Sequence, residues 1–239
     1  MTTDAADTAS PSASRSLGEQ AYAVLRERII GLVYAPGERL IERDLAAELQ
    51  LSRIPLREAI QRLQNDGLVI AIPRQGAIVS PFTADDVRDL FDVRESLEVL
   101  AFRLAAQRAD EASLAVLRRH VDDAFDATHR GDEAGIATAN AAFHRTVVDM
   151  AANPLLTSLM GPLEARVAWL FHLTRQRDPV QQCQEHQELY EALAAHDVDR
   201  AERHAFSHVH SGRDLSIELA RTWSIDAIDP IAATRTRRR

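Results

Sequence analysis

The chain has 239 residues, 46% of them hydrophobic and 27% charged, the composition of an ordinary soluble globular protein of one or two domains, large enough to bury real cores. No apolar run approaches the roughly 18 residues needed to span a bilayer, and the Thr, Ser, Ala and Asp at the N-terminus do not form a basic region leading into an apolar one, so a cytoplasmic protein with no membrane partner is expected. The lone cysteine, Cys183, excludes an internal disulfide and a thiolate metal pair, and the net charge of −8 is uneven: residues 15 to 80 hold nine Arg against eight acids, so the acidity lies mainly beyond residue 80.

Residues 1 to 14 are rich in Ser, Thr, Ala and Asp and are expected to form a disordered tail. Ser16 and Glu19 have capping-box spacing, and the stripe Leu17, Ala21, Val24, Leu25, Ile29, Leu32 predicts a helix from about Leu17 to Leu32. Pro36-Gly37-Glu38 reads as a turn, and Glu42 to Leu49 as a short helix with Leu45, Ala46 and Leu49 inward. After the corner Gln50-Leu51-Ser52 comes a helix capped by Ser52 and stopped by Gly67, with Leu56, Ala59, Ile60 and Leu63 on its apolar face. Its other ridge carries Arg53, Arg57, Gln61 and Gln64, long donors suited to phosphate oxygens and base edges, although such a ridge is also what any solvated helix face looks like. The runs Leu68 to Ile72 and Ala77 to Val79, joined by Pro73-Arg74-Gln75-Gly76, predict a two-stranded wing.

In that setting the segment APGERLIERDLAAELQLSRIPLREAIQRLQNDGLVIAIPRQGAIV resembles the winged helix-turn-helix domain of the GntR family of bacterial transcription regulators. The resemblance rests on SR-x-P-x-REA, RL-x-x-x-GL and a wing ending in Gly, standing in order. It implies that Arg43, Arg53 and Arg57 meet phosphates and operator bases and that Arg74 with Gly76 places the wing against a groove. Ile54 stands where the family more often has a small polar residue, and an apolar side chain there suits a thymine methyl.

The change of domain is expected at Ser80-Pro81-Phe82, where Thr83 can cap a helix with Asp85 and Asp86 in its first turn. From there the helical period barely lapses: Ala84 to Arg108, Glu111 to His129, Asp132 to Ala151, Pro154 to Arg177, Val180 to Ala195 and Val198 to Arg221, with breakers between them and a kink expected at Gly161-Pro162. The fold class is therefore mainly α: a winged helix-turn-helix domain over residues 15–80, an all-α bundle of six or seven helices over 81–222, and an Arg-rich tail over 223–239.

Asn140 and His144 lie at i and i+4 on one helical face; His186 and His208 follow much later, at no local metal spacing, and by the residues alone scattered core or surface histidines are the ordinary explanation. The region Asp85 to Leu219, however, is similar to the FCD type of GntR effector domain, and Asn140, His144, His186 and His208 fall on its metal-binding pattern. The resemblance implies a divalent metal, zinc or nickel, and a small organic acid effector held beside it. Asn at 140 in place of the commoner Asp leaves the ion's charge uncompensated and weakens its intrinsic affinity, which an anionic effector would restore. Arg94, in RESLE, is a candidate for the effector's far carboxylate, or else the partner of Glu98 in a surface salt bridge; His172 and Arg175 are weaker candidates.

The function implied is that of a DNA-binding regulator, not an enzyme: a homodimeric, metabolite-responsive repressor on a near-palindromic operator in double-stranded DNA. Two rivals remain, a metal-dependent hydrolase using Glu185 or Glu188 beside His186 as base, and an interaction module that does not bind DNA. Neither glutamate stands in a recognised catalytic motif.

Overall fold

The computed structural model describes residues 16–72, 76–173 and 178–222. The two tails, the wing turn with Arg74, residue Arg175 and the side chain of His172 lie outside the described residues.

Helix α1 (Leu17–Ile30) opens with a capping box in which the Ser16 hydroxyl accepts from the Glu19 amide and the Glu19 carboxylate accepts from the Ser16 amide, each at 3.1 Å. A two-residue strand β1 (Arg39–Leu40), not expected from the sequence, precedes α2 (Glu42–Glu48). The corner to α3 (Arg53–Asn65) is tight because Gln50 takes a left-handed conformation at φ 54° and Leu51 donates back to the Ala46 carbonyl at 3.0 Å. Helix α3 buries Leu56, Ala59, Ile60 and Leu63, the apolar face expected. Ser52 occupies its N-cap position, but the hydroxyl makes no capping hydrogen bond, so the cap expected of it is positional only. At the other end Gly67, at φ 71°, lets Leu68 donate to the Leu63 carbonyl at 2.9 Å. Tyr22 ties α1 to this end, donating to Asp66 at 2.5 Å; burial, then that carboxylate, push its hydroxyl up to about 12.

Strands β2 (Val69–Ile72) and β3 (Gly76–Val79) form the wing, and β3 also pairs antiparallel with β1, giving the order β1-β3-β2. Gly76 is required at the crossing: at φ 106° a Cβ there would lie 2.0 Å from the Leu40 carbonyl oxygen and 3.1 Å from the Glu42 amide.

Seven helices follow among the described residues: α4 (Ala84–Arg108), α5 (Glu111–Arg130), α6 (Glu133–Met150), α7 (Pro154–Leu173), α8 (Pro179–Ala194), α9 (Val198–Ser211) and α10 (Arg213–Arg221). Caps set their starts: Thr83 forms a box with Asp86, as expected, Asp110 forms one with Ser113, and Asp178 and Asp197 each accept from the first turn, while Asp132, expected as a first helical residue, is itself an N-cap. Gly131 closes α5 in the left-handed conformation. Pro162 lies inside α7 without ending it, whereas the single helix expected over Val198 to Arg221 is two, divided at Gly212. Helix α4 is central, packed on α6, α7, α8, α9 and α10.

The two halves share one buried cluster. Phe82, which follows the wing, is fully buried and stacks on Trp169 of α7 at a centroid distance of 5.2 Å. From the same helix the Arg166 guanidinium comes so near the end of α3 that a Cβ on Gly67 would meet its Nε at 2.9 Å.

Candidate metal centre and nucleic-acid interface

Helix α6 delivers Asn140 and His144 one turn apart, α8 delivers Gln182 and His186 at the same spacing, and α9 delivers His208 near its end. The three histidines, distant in sequence, converge: one nitrogen of each lies within 4.8 Å of the others, and His186 and His208 are buried. The His186 ring is held by stacking on Phe143 at 4.3 Å.

A carboxylate stands behind two of the three rings. Glu185 Oε2 lies 2.7 Å from His208 Nδ1, and Glu98 Oε2 lies 3.5 Å from His144 Nδ1. A carboxylate at Nδ1 selects the tautomer that carries its proton there and turns the Nε2 lone pair inward. The Nε2 atoms of His144 and His208 face each other at 3.3 Å. That is about the separation of two imidazole nitrogens bound at roughly 2.0–2.1 Å to one tetrahedral zinc ion; with the proton of each ring on Nδ1, two lone pairs would meet there, and a cation between them would remove their repulsion.

Asn140 lies one helical turn from His144. Its Nδ2 donates to Gln182 Oε1 at 2.9 Å, and its Oδ1 is buried with no hydrogen-bond partner among the described residues. An amide oxygen in that condition costs about 1–3 kcal/mol, which coordination to a cation would recover. The donor set, three imidazoles and one neutral oxygen, suits zinc or nickel better than a hard ion that wants carboxylates. The charge expected to go uncompensated has its compensation one layer out, in Glu98 and Glu185. Sequence reasoning missed Gln182; the signal was there, since Gln182 and His186 repeat the spacing of Asn140 and His144.

Arg94 is buried and donates from Nε to Glu98 Oε1 at 2.7 Å. The salt bridge weighed for it therefore exists, but inside the bundle rather than on the surface, linking the Arg94 charge through Glu98 to His144. Glu185 is engaged with His208, and Glu188 faces His204 Nδ1 at 3.2 Å, so each glutamate considered as a hydrolytic base is engaged with a histidine. A groove of about 230 Å³ on the outer side of the Glu185–His208 pair, lined also by Gln181, Glu188, His204, Ser207 and Ser211, gives solvent an approach.

At the other end of the molecule, Arg43, Arg53, Ile54 and Arg57 are all exposed, with Ile54 at 73% among the most exposed large apolar side chains described. Arg43 reaches Asp44 at 3.0 Å. Arg57 is gripped by Glu42, with Nε 3.2 and 3.1 Å from the two carboxylate oxygens and Nη2 3.1 Å from one of them. Gly76 seats the wing beside this face, as described above.

Residues 17–79 match the bacterial regulatory proteins of the gntR family, and residues 89–211 match the FCD domain. Among curated proteins, the chain is 31% identical to the uncharacterized HTH-type transcriptional regulator YdhC of Bacillus subtilis, over 79% of this chain and 86% of that one. It is 30% identical to the Nta operon transcriptional regulator of Aminobacter aminovorans, over 79% and 89%, and 25% identical to the HTH-type transcriptional repressor RspR of Escherichia coli, over 82% and 87%. In fold it is similar to E. coli McbR/YncC, with a TM-score of 0.75 at 23% identity over 86% of this chain and 99% of that one. A putative GntR regulator from Rhodococcus sp. RHA1 gives 0.70 at 26% identity, over 87% and 100%. The chain belongs to the GntR family of transcriptional regulators, with an FCD effector domain behind its winged helix-turn-helix head.

Proposed function

We propose that this regulator is a homodimeric repressor that releases a near-palindromic operator when a small organic acid binds beside a divalent metal in the bundle. The observation that carries the reading is the pairing, in one core, of an exposed Arg-bearing α3 with a convergence of three histidines, two of them buried. Arg53 and Arg57 read bases, Arg43 meets backbone phosphate, and Arg74 with Gly76 brings the wing to a groove. Ile54 presents an apolar surface suited to a thymine methyl. His144, His186 and His208 with Asn140 hold zinc or nickel, and the ion supplies a Lewis-acid anchor for an effector carboxylate. Arg94 adds a buried positive charge for the effector's other end, with Glu98 fixing its orientation. Because an effector shifts an equilibrium only by its differential affinity for two arrangements, the organic acid must favour the dimer geometry in which two heads no longer match their half-sites.

The head is tested with an operator duplex selected from genomic fragments. Arg57→Ala lowers specific affinity about 10- to 100-fold, the worth of one good base contact, without changing the melting temperature. Unchanged affinity in a gel shift, or binding indifferent to salt, would favour a head used for protein contact instead.

A further inference from the structure

We propose that Glu42 is a positioning residue for base readout: it holds the Arg57 guanidinium side-on and presents the end of its fork to guanine. The inference rests on the reading of α3 as the DNA-contacting helix and adds to it a residue from a different helix.

Glu42 is the first residue of α2, and its backbone sits against the wing at Gly76. It is mostly sheltered, whereas Arg57 remains largely exposed. The contacts run through Nε and Nη2. A guanidinium has five N–H groups, and a carboxylate taking the Nε edge leaves the Nη1–Nη2 end, the pair that matches O6 and N7 of guanine. An exposed arginine otherwise samples many rotamers, so the grip removes freedom that binding would have to remove. It also sets a negative charge beside the positive one, which reduces the pull of Arg57 on any phosphate and leaves the geometric match to a base as its main source of affinity. The same carboxylate therefore strengthens the correct contact and weakens indiscriminate ones.

The experiment uses the full-length protein, a duplex selected from a random pool by wild type, and an unrelated duplex of equal length. Glu42→Gln should bind the selected duplex about 5- to 10-fold more weakly and the unrelated duplex more tightly, with a salt dependence steeper by about one phosphate contact. Glu42→Asp, which keeps the charge but shortens the reach, should lose specific affinity with no rise in non-specific binding; it carries the test if the Gln variant does not fold. In the Arg57→Ala background Glu42→Gln should have no further effect on the selected duplex. A specificity ratio unmoved by either variant, or a loss on both duplexes in step with a lower melting temperature, overturns the proposal. If Arg57→Ala weakens the selected duplex while the Glu42 variants do not, the positioning role alone fails; if Arg57→Ala does nothing, the reading of α3 fails with it.

Discussion

His208 is fixed from both sides, by Glu185 at Nδ1 and by the approach of His144 at Nε2, so its ring has one orientation before anything binds. Such outer carboxylates raise ligand basicity, and removing one typically lowers metal affinity 10- to 100-fold. Glu185→Gln is accordingly expected to weaken zinc by that factor in competition with a chromogenic chelator, and an unchanged dissociation constant would show that the histidines orient themselves. The convergence of His144, His186 and His208 was legible in the sequence because a family pattern marks their positions. The contacts of Glu98 with His144 and of Glu185 with His208 were not, since each runs across a helix-to-helix contact that no local period encodes. The pairing of Glu42 with Arg57 was hidden for the same reason, the two lying on successive helices fifteen residues apart.

At the level of elements, α7 is a bundle helix that touches the head, packing on α1, and it carries an electrostatic burden. Burial pushes the Glu164 carboxyl above the usual carboxylate range despite the pull of Arg145, whose Nε stands 3.9 Å away. A group whose folded pKa exceeds its unfolded value, about 4.3 for Glu, adds stability below that value and loses it as pH rises through the folded one. Glu164→Gln should therefore raise the melting temperature at pH 7, with the gain vanishing near pH 4; a decrease at pH 7 would mean that the Arg145 attraction outweighs burial. Most element boundaries were readable to within a residue or two, because Ser16, Thr83, Asp110, Asp178 and Asp197 are caps whose chemistry is local. Two features escaped. Strand β1 is too short to show a period, and Gly212 sits in a helical pattern that continues on either side, so only the packing of α10 on α4 reveals the break.

For the molecule as a whole, the stack of Phe82 on Trp169 makes head and bundle parts of one hydrophobic interior. Phe82→Ala should cost about 3–5 kcal/mol, the usual range for a buried aromatic, and should shrink the change in operator affinity that the effector produces. Wild type should unfold in a single transition by far-ultraviolet dichroism and by tryptophan fluorescence, and two separated midpoints would count against a shared interior. Nothing in the sequence paired Phe82, in the segment that joins the two expected domains, with Trp169, 87 positions further on. Their contact leaves no slack tether between the part that touches DNA and the part that senses a metabolite. On the proposed reading of a dimer sensing its effector at the histidines, each head would travel with its own bundle, and the signal would reach DNA by altering the gap between two probes, much as calipers change their setting without either jaw bending.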